Sequence, residues 1–237
     1  GIAGRSDVPP LRVYCSAEAH SSVDKAAIVL GLGRDGVRRI PVDGAFRMDA
    51  GALAAAITED RAAGRRPLAV VATIGTTSTT SVDPVAAIAD LCTHERLWLH
   101  VDAAYAGVAG MLPTHAHVLD GVARADSFVV NPHKWLFVPV DLSAFYCRRM
   151  DDVRAVFTLT PDYLRPGPEG AARNLSDTGL ALGRRFRALK LWTTLRTYGR
   201  EGVRRHLARH LALAETFASW VDAHPEDRKS TRLNSSH

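Results

Sequence analysis

The run LAVVATI (Leu68–Ile74) restricts the possible folds more than any other part of the chain. It is apolar almost throughout and rich in β-branched residues, so it has no polar face to offer to water. A strand of this kind is expected where both faces are covered, as in a parallel sheet. Similar runs recur at RVYCS (12–16), VRRIPV (37–42), LWLHVD (97–102), DSFVVN (126–131) and LSAFYCR (142–148). Helix-like segments lie between them. Residues 20–32 place Val23, Ala26, Ala27 and Leu30 at helical spacing. Asp49 is positioned to cap a helix that runs to Ala63 and stops at Gly64. Asp83-Pro84 opens another, reaching His94, with proline in the first turn. Strand and helix alternating at this length imply an α/β fold: a mostly parallel sheet with flanking helices on both faces.

The pattern changes after Arg149. Residues 158–176 have no periodicity and are rich in proline and glycine, which reads as a long loop of the kind that forms functional lids. Residues 184–198 and 201–224 read as two amphipathic helices hinged at Gly199 and Gly202. The last ten residues, RKSTRLNSSH (228–237), break abruptly with what precedes them and read as a non-native tail. No apolar run approaches the roughly 18–20 residues that cross a membrane. The net charge of +5 is spread as local arginine pairs, which excludes a concentrated nucleic-acid footprint. Three distant cysteines, Cys15, Cys92 and Cys147, suit buried thiols in a reducing cytoplasm better than disulfides or a metal site.

Two neighbouring segments carry the chemistry: WLHVDAAYAG (98–107) and DSFVVNPHKW (126–135). Asp102 ends a strongly apolar strand, where an unpaired carboxylate is costly. At the C-terminal end of a parallel strand it points into the crevice where α/β sheets bind ligands. Lys134 follows the next apolar strand, so both side chains can face one crevice. A lysine and a carboxylate so placed suit pyridoxal 5′-phosphate. The lysine forms a Schiff base with the cofactor, and the carboxylate keeps the pyridine nitrogen protonated.

NPHKW (131–135), HVDAAYAG (100–107), AEAHSSVDKA (17–26) and ATIGTTSTTSVDP (72–84), taken together and in this order, resemble the group II pyridoxal-phosphate-dependent decarboxylases, closest to the aromatic-L-amino-acid decarboxylase branch. The resemblance runs from about Val13 to Ala223. It implies the large domain of the aspartate-aminotransferase-like fold, known as fold type I, truncated at both ends. Residues 1–150 would be part of the cofactor domain and 151–183 a catalytic mobile loop and connection. Residues 184–227 would lead into the C-terminal domain. The resemblance also implies roles. Lys134 would carry the cofactor and Asp102 would pair with its ring nitrogen. His20 would stack on the ring and help orient the substrate carboxylate, with Ala104 against the opposite ring face. Thr77 would lie near the ring substituents, and Asn131 and His133 near the phosphate or the Schiff base. Tyr163, on the long loop, would return a proton to the substrate carbon. The expected reaction is decarboxylation of an L-amino acid, aromatic by this resemblance, in a cytoplasmic homodimer with no nucleic-acid or membrane partner.

The family's proteins are longer, and the resemblance implies that much of the phosphate cradle and the second subunit's contribution lie outside these residues. On its own the chain is therefore expected to bind the cofactor poorly and to be inactive. Three alternatives stay open: a glutamate or diaminobutyrate decarboxylase, another reaction on the same fold (transamination, desulfurisation or oxidative aldehyde formation), and an inactive truncated product. Tyr163 counts against aldehyde formation, because relatives of that type tend to replace it.

Overall fold

Six strands form one sheet in the order β2-β1-β3-β4-β5-β6. They are β1 (Leu11–Ser16), β2 (Val37–Ile40), β3 (Arg66–Thr73), β4 (Trp98–Asp102), β5 (Ser127–Val130) and β6 (Ala144–Cys147). The computed structural model describes residues 7–158 and 175–224. The first five strands run parallel, and β6 closes the edge antiparallel to β5. All six expected strands are present. The antiparallel direction of β6 was not legible in its sequence.

The strand order follows from which face each connection takes. Helix α1 (Ser22–Val29) joins β1 to β2 and packs Val23 against Cys15, Val13 and Val71. The next two helices, α2 (Ala50–Ala62) and α3 (Val85–Glu95), lie on the opposite face. There Leu53, Ile57, Ile88 and Ala89 meet Tyr14, Val70, Ala72, Leu99 and Val101, all nearly or wholly buried. The chain steps from β1 to β2 in one direction and then crosses back to β3 on the far side of β1. The two crossovers leave opposite faces, so a crevice opens between β1 and β3 at the C-terminal ends of the strands. Alternation along β3 and β4 divides the side chains as period 2 demands. Val70, Ala72, Leu99 and Val101 enter the α2–α3 core, whereas Val71, Thr73, His100 and Asp102 face the other way.

Local chemistry sets several boundaries. The Asp49 carboxylate caps α2, accepting from the backbone N–H of Gly51 (2.8 Å) and Ala52 (3.0 Å), as its position predicts. The carboxylate of Asp83 turns into the core instead and accepts from the N–H of Met48 (2.7 Å) and Thr73 (2.8 Å). Gly31, Gly33 and Gly36 spell G-x-G-x-x-G, but they link helix α1 to strand β2. A dinucleotide loop needs the reverse order, strand into helix. Between β4 and β5 the chain forms short 3-10 turns over Ala106–Met111, Pro113–Leu119 and Val122–Arg124.

After β6, Met150–Phe157 forms helix α4, at the start of the stretch 151–183 expected to be a mobile loop and connection. The two helices expected near the end of the described chain form one bent element, α5 (Ala188–Ala223). It breaks at Gly199, where φ 63° and ψ 174° interrupt the helical backbone, so one of the two expected hinge glycines is a hinge. Gly202, the other, is buried inside the second half. Val203 and Leu207 anchor that half against Val108, Leu112 and Leu136. The cysteines Cys15, Cys92 and Cys147 are free thiols. Among the described residues no helix is long and apolar enough to cross a membrane.

Candidate active site

A cavity of about 570 Å³ lies over the C-terminal edge of the sheet, walled by the segments at the ends of β1, β3, β4 and β5 and by the residue before β6. His20 comes from the turn after β1 and Ser22 from the first position of α1. Thr73 ends β3, and Gly75, Thr76, Thr77 and Thr80 follow it. Asp102 ends β4, ahead of Ala104 and Tyr105. Val129 of β5 leads to Asn131 and Lys134, and Ser143 precedes β6. Thr73, Asp102 and Val129 are register neighbours on three adjacent strands. They form a row in the floor with the carboxylate at its centre.

Asp102 is oriented from its own chain: Oδ1 accepts the Ala104 N–H at 3.1 Å. The turn that carries Lys134 is tied to the same segment. The N–H of Asn131 donates to the Ala104 carbonyl (3.1 Å), and the N–H of Lys134 donates to the Asn131 carbonyl (2.9 Å). Lys134 thus leaves an anchored turn with its side chain exposed to the cavity. His20 receives the Ser22 backbone N–H at Nδ1 (3.2 Å), which requires that nitrogen to lack a proton and puts the ring N–H on Nε2. The Ser22 hydroxyl sits 2.9 Å from the same nitrogen.

Beneath Asp102 lies a polar network that the alternation of WLHVD places on one face. The Trp98 indole N–H donates to Ser127 Oγ (2.8 Å), and Ser127 Oγ lies 2.8 Å from His100 Nδ1. The indole can only donate, so both contacts are satisfied when the serine hydroxyl donates to His100. Burial holds the His100 imidazole below its ordinary pKa, with the Asp102 charge pulling the other way. A neutral imidazole therefore lies one strand pitch below the carboxylate.

The loop after β3 depends on Gly75. Its φ is +85°, and a Cβ there would come within 2.4 Å of Ala106 Cβ. The Ala106 N–H donates to the Ile74 carbonyl at 3.3 Å, so the loop and the Asp102 segment are docked directly. Gly75→Ala combines left-handed strain of about 1–2 kcal/mol with a backbone clash. It is expected to destabilise the fold by at least about 2 kcal/mol and to open the cavity wall, read by thermal denaturation; an unchanged midpoint would contradict the close approach.

Of the residues singled out in the sequence, Lys134, Asp102, His20, Ala104, Thr77 and Asn131 all line the cavity. His133 does not. Its Nδ1 lies 2.6 Å from the Leu142 carbonyl and 2.9 Å from the Leu142 N–H, so it braces the lysine turn against the segment leading to β6. Tyr163 lies outside the described residues. Sequence reading missed Thr73, Ser22, Ser143 and Tyr105. Thr73 had a legible signal, because it stands at the end of an apolar strand as Asp102 does.

Two buried wall atoms have no partner among the described residues: Thr73 Oγ1 and Asn131 Oδ1. Each such atom costs about 1–3 kcal/mol unless something hydrogen-bonds to it. Partners are expected from a polar ligand that lies over Asp102 and within reach of an amine.

These features define the class: an α/β protein with a pyridoxal-phosphate type of site at the C-terminal edge of its sheet. The family model described as "Pyridoxal-dependent decarboxylase conserved domain" matches residues 8–229, and the chain belongs to that family. It is 43% identical to the aromatic-L-amino-acid decarboxylase of Cavia porcellus over 217 residues, covering 91% of this chain and 45% of that protein. With the Bos taurus protein of the same name it shares 45% identity over 213 residues, 89% of this chain and 43% of that one. Among solved structures it resembles Oryza sativa TDC with PLP and tryptamine (TM-score 0.88, 38% identity, 94% of this chain and 46% of that one). Mouse CSAD is similar too (TM-score 0.86, 35% identity, 92% and 46%). The chain thus spans about half or less of the length of the curated relatives it matches.

Proposed function

We propose that this chain carries the core of the active site of a pyridoxal-phosphate-dependent decarboxylase that converts an L-amino acid with an aromatic side chain to its amine and CO2. The observation that carries this reading is the meeting of Lys134 and Asp102, from the ends of successive parallel strands, in one cavity with two polar atoms that lack a partner among the described residues. The aromatic assignment is supported by identity to proteins named aromatic-L-amino-acid decarboxylase. Backbone likeness does not choose the substrate, since mouse CSAD matches nearly as well as Oryza sativa TDC.

When bound, pyridoxal phosphate supplies an electron sink for the pair released as CO2 departs. Lys134 would hold the cofactor covalently through its amine, which its exposure leaves open to the cavity. Asp102, oriented by the Ala104 N–H, would pair with the ring nitrogen. His20 and Ala104 restrict the plane in which a ring can lie. Thr77, Asn131 and Thr73 offer hydrogen bonds to its polar substituents. His133 acts on the reaction only through the Lys134 turn that it braces. Tyr163 is assigned the proton returned to the substrate carbon, as a general acid. The working enzyme is assigned as a homodimer.

The test is turnover of tyrosine, dopa, tryptophan, phenylalanine and glutamate by the longest polypeptide that carries this chain, scored for amine and CO2. Amine from the aromatic substrates is expected, and CO2 from glutamate alone would overturn the aromatic assignment. Asp102→Asn replaces the charge with a neutral amide of similar shape. It is expected to lower turnover by about 10²-fold or more, in the range of losing one preorganised electrostatic group. Cofactor affinity measured by equilibrium dialysis should fall as well, and wild-type values for both would remove Asp102 from the ring-nitrogen role.

A further inference from the structure

Tyr105 lines the cavity beside Lys134 and Asp102, yet none of the roles above uses it. We propose that Tyr105 contacts the side chain of the amino-acid substrate, favouring a planar aromatic group, and that Trp135 and His210 are the residues that position it. The inference rests on the decarboxylase reading and names where substrate selection occurs.

One face of the Tyr105 ring is covered by Trp135, with centroids 5.4 Å apart and planes 14° from parallel. The residue remains 40% exposed, so the rest of the ring is presented to the cavity and solvent. A flat aromatic side chain gains most from such a surface, because offset stacking adds to the apolar contact. Trp135 does not line the cavity; it follows Lys134 in the chain and backs Tyr105 from outside. Its own orientation is set from 75 residues away. The indole N–H donates to His210 Nδ1 at 3.2 Å. An indole N–H can only donate, so His210 must present an unprotonated Nδ1 and carry its proton on Nε2.

His210 is itself held. Phe137, three residues after Lys134 and in the left-handed region at φ 63°, meets the His210 ring edge-on at 5.4 Å and 83°. The same phenyl ring contacts His206 at 5.6 Å and 64°. Buried Val203 and Leu207 fix this part of α5 against Leu136. The order of support therefore runs from α5 through His210 and Trp135 to Tyr105. Neither His210 nor Trp135 touches the cavity, so both act on the substrate only through the tyrosine.

The brace and its consequence can be tested separately. In the 237-residue chain without cofactor, the Trp135 indole N–H resonance is followed by 15N NMR. His210→Leu is expected to shift it, and His210→Asn, which restores an acceptor, to bring it back towards its original position. An unmoved resonance in His210→Leu would overturn the brace, whatever the chain's activity. In the cofactor-loaded enzyme, His210→Leu is expected to raise KM for aromatic amino acids about tenfold, the scale of losing a well-placed aromatic contact. The effect on kcat should be much smaller, and His210→Asn should recover most of the KM. Tyr105→Leu should weaken binding of an aromatic amine at least as much, while leaving an aliphatic amine of similar length little changed. Equal losses for both amines, or a fall in kcat that His210→Asn does not rescue, would reduce all three residues to general packing. Trp135→Phe keeps the stack and removes only the N–H donor, so it answers the same question if His210→Leu does not fold. A cofactor that fails to bind at Lys134 would undo the decarboxylase reading and leave the NMR result standing.

Discussion

Replacing Lys134 with alanine is expected to abolish covalent attachment of pyridoxal phosphate altogether. The chain contains four lysines, at positions 25, 134, 190 and 229, which makes the experiment decisive. Lys190 is engaged with the Pro139 carbonyl at 2.9 Å, and Lys25 lies in α1; neither lines the cavity. Borohydride reduction after incubation with cofactor, followed by peptide mass mapping, should place the label on the peptide containing Lys134. It should place none on any peptide of Lys134→Ala. Lys134→Arg keeps the positive charge but has no amine that can condense at neutral pH. It is expected to retain weak reversible binding, supported by Asp102 and the polar wall, with no reducible bond. Label of equal yield on another lysine in either variant would sink the assignment. Turnover should fall by several orders of magnitude in both, because the step that depends on the amine is lost outright.

The second large effect concerns Asp83, and it is read as stability. This carboxylate is 2% exposed and accepts hydrogen bonds from two buried backbone N–H groups, those of Met48 and Thr73. Asp83→Ala strands both donors. At about 1–3 kcal/mol for each, the expected loss is on the order of 3 kcal/mol or more. That corresponds to a melting point lower by roughly 10 °C in a protein of this size. Cofactor binding should weaken too, because the segment that Asp83 holds includes Thr73 and the loop forming one cavity wall. Burial pushes the Asp83 carboxyl up to about 6, against the pull of its two N–H bonds. A raised carboxyl pKa means that the folded state holds the proton more tightly than the unfolded chain, whose value is near 3.8. The contribution is therefore fully present below pH 3.8 and is lost as pH rises through about 6. Over that interval it amounts to roughly 3 kcal/mol. Urea unfolding at a series of pH values should show this fall in the wild type and a flatter profile in Asp83→Asn. An identical slope in the two proteins would show that Asp83 does not titrate in this range.

Much of this molecule could be read before its folding was known, for a common physical reason. The six strands are local apolar runs, and a run such as LAVVATI specifies burial without reference to its neighbours. Lys134, Asp102, His20, Ala104, Thr77 and Asn131 could be found because each stands in a short motif next to a strand end, and in a parallel sheet strand ends converge on one crevice. Even the Trp98–His100–Asp102 row was implicit in the period of a strand.

Contacts that join distant parts of the chain were not legible. His133 has the composition of a ligand-binding residue, but Leu142, nine positions on, engages its ring. Asp83 reads as the start of a helix, and only the packing of α2 and α3 beside β3 turns its carboxylate inward to two buried N–H groups. The contact of Trp135 with Tyr105 joins two strand-end segments, and its contact with His210 exists because α5, bent at Gly199, reaches back to the lysine turn. The direction of β6 likewise follows from its pairing with β5. The sequence by itself determined the alternating elements, the family and most of the residues singled out for the candidate site, because these depend on neighbours a few positions away. Tertiary structure alone decided which of those residues share a cavity, which serve as braces, and which groups outside the motifs hold them in place. Those outcomes depend on burial and on hydrogen-bond partners that come together only when the sheet and its helices have assembled.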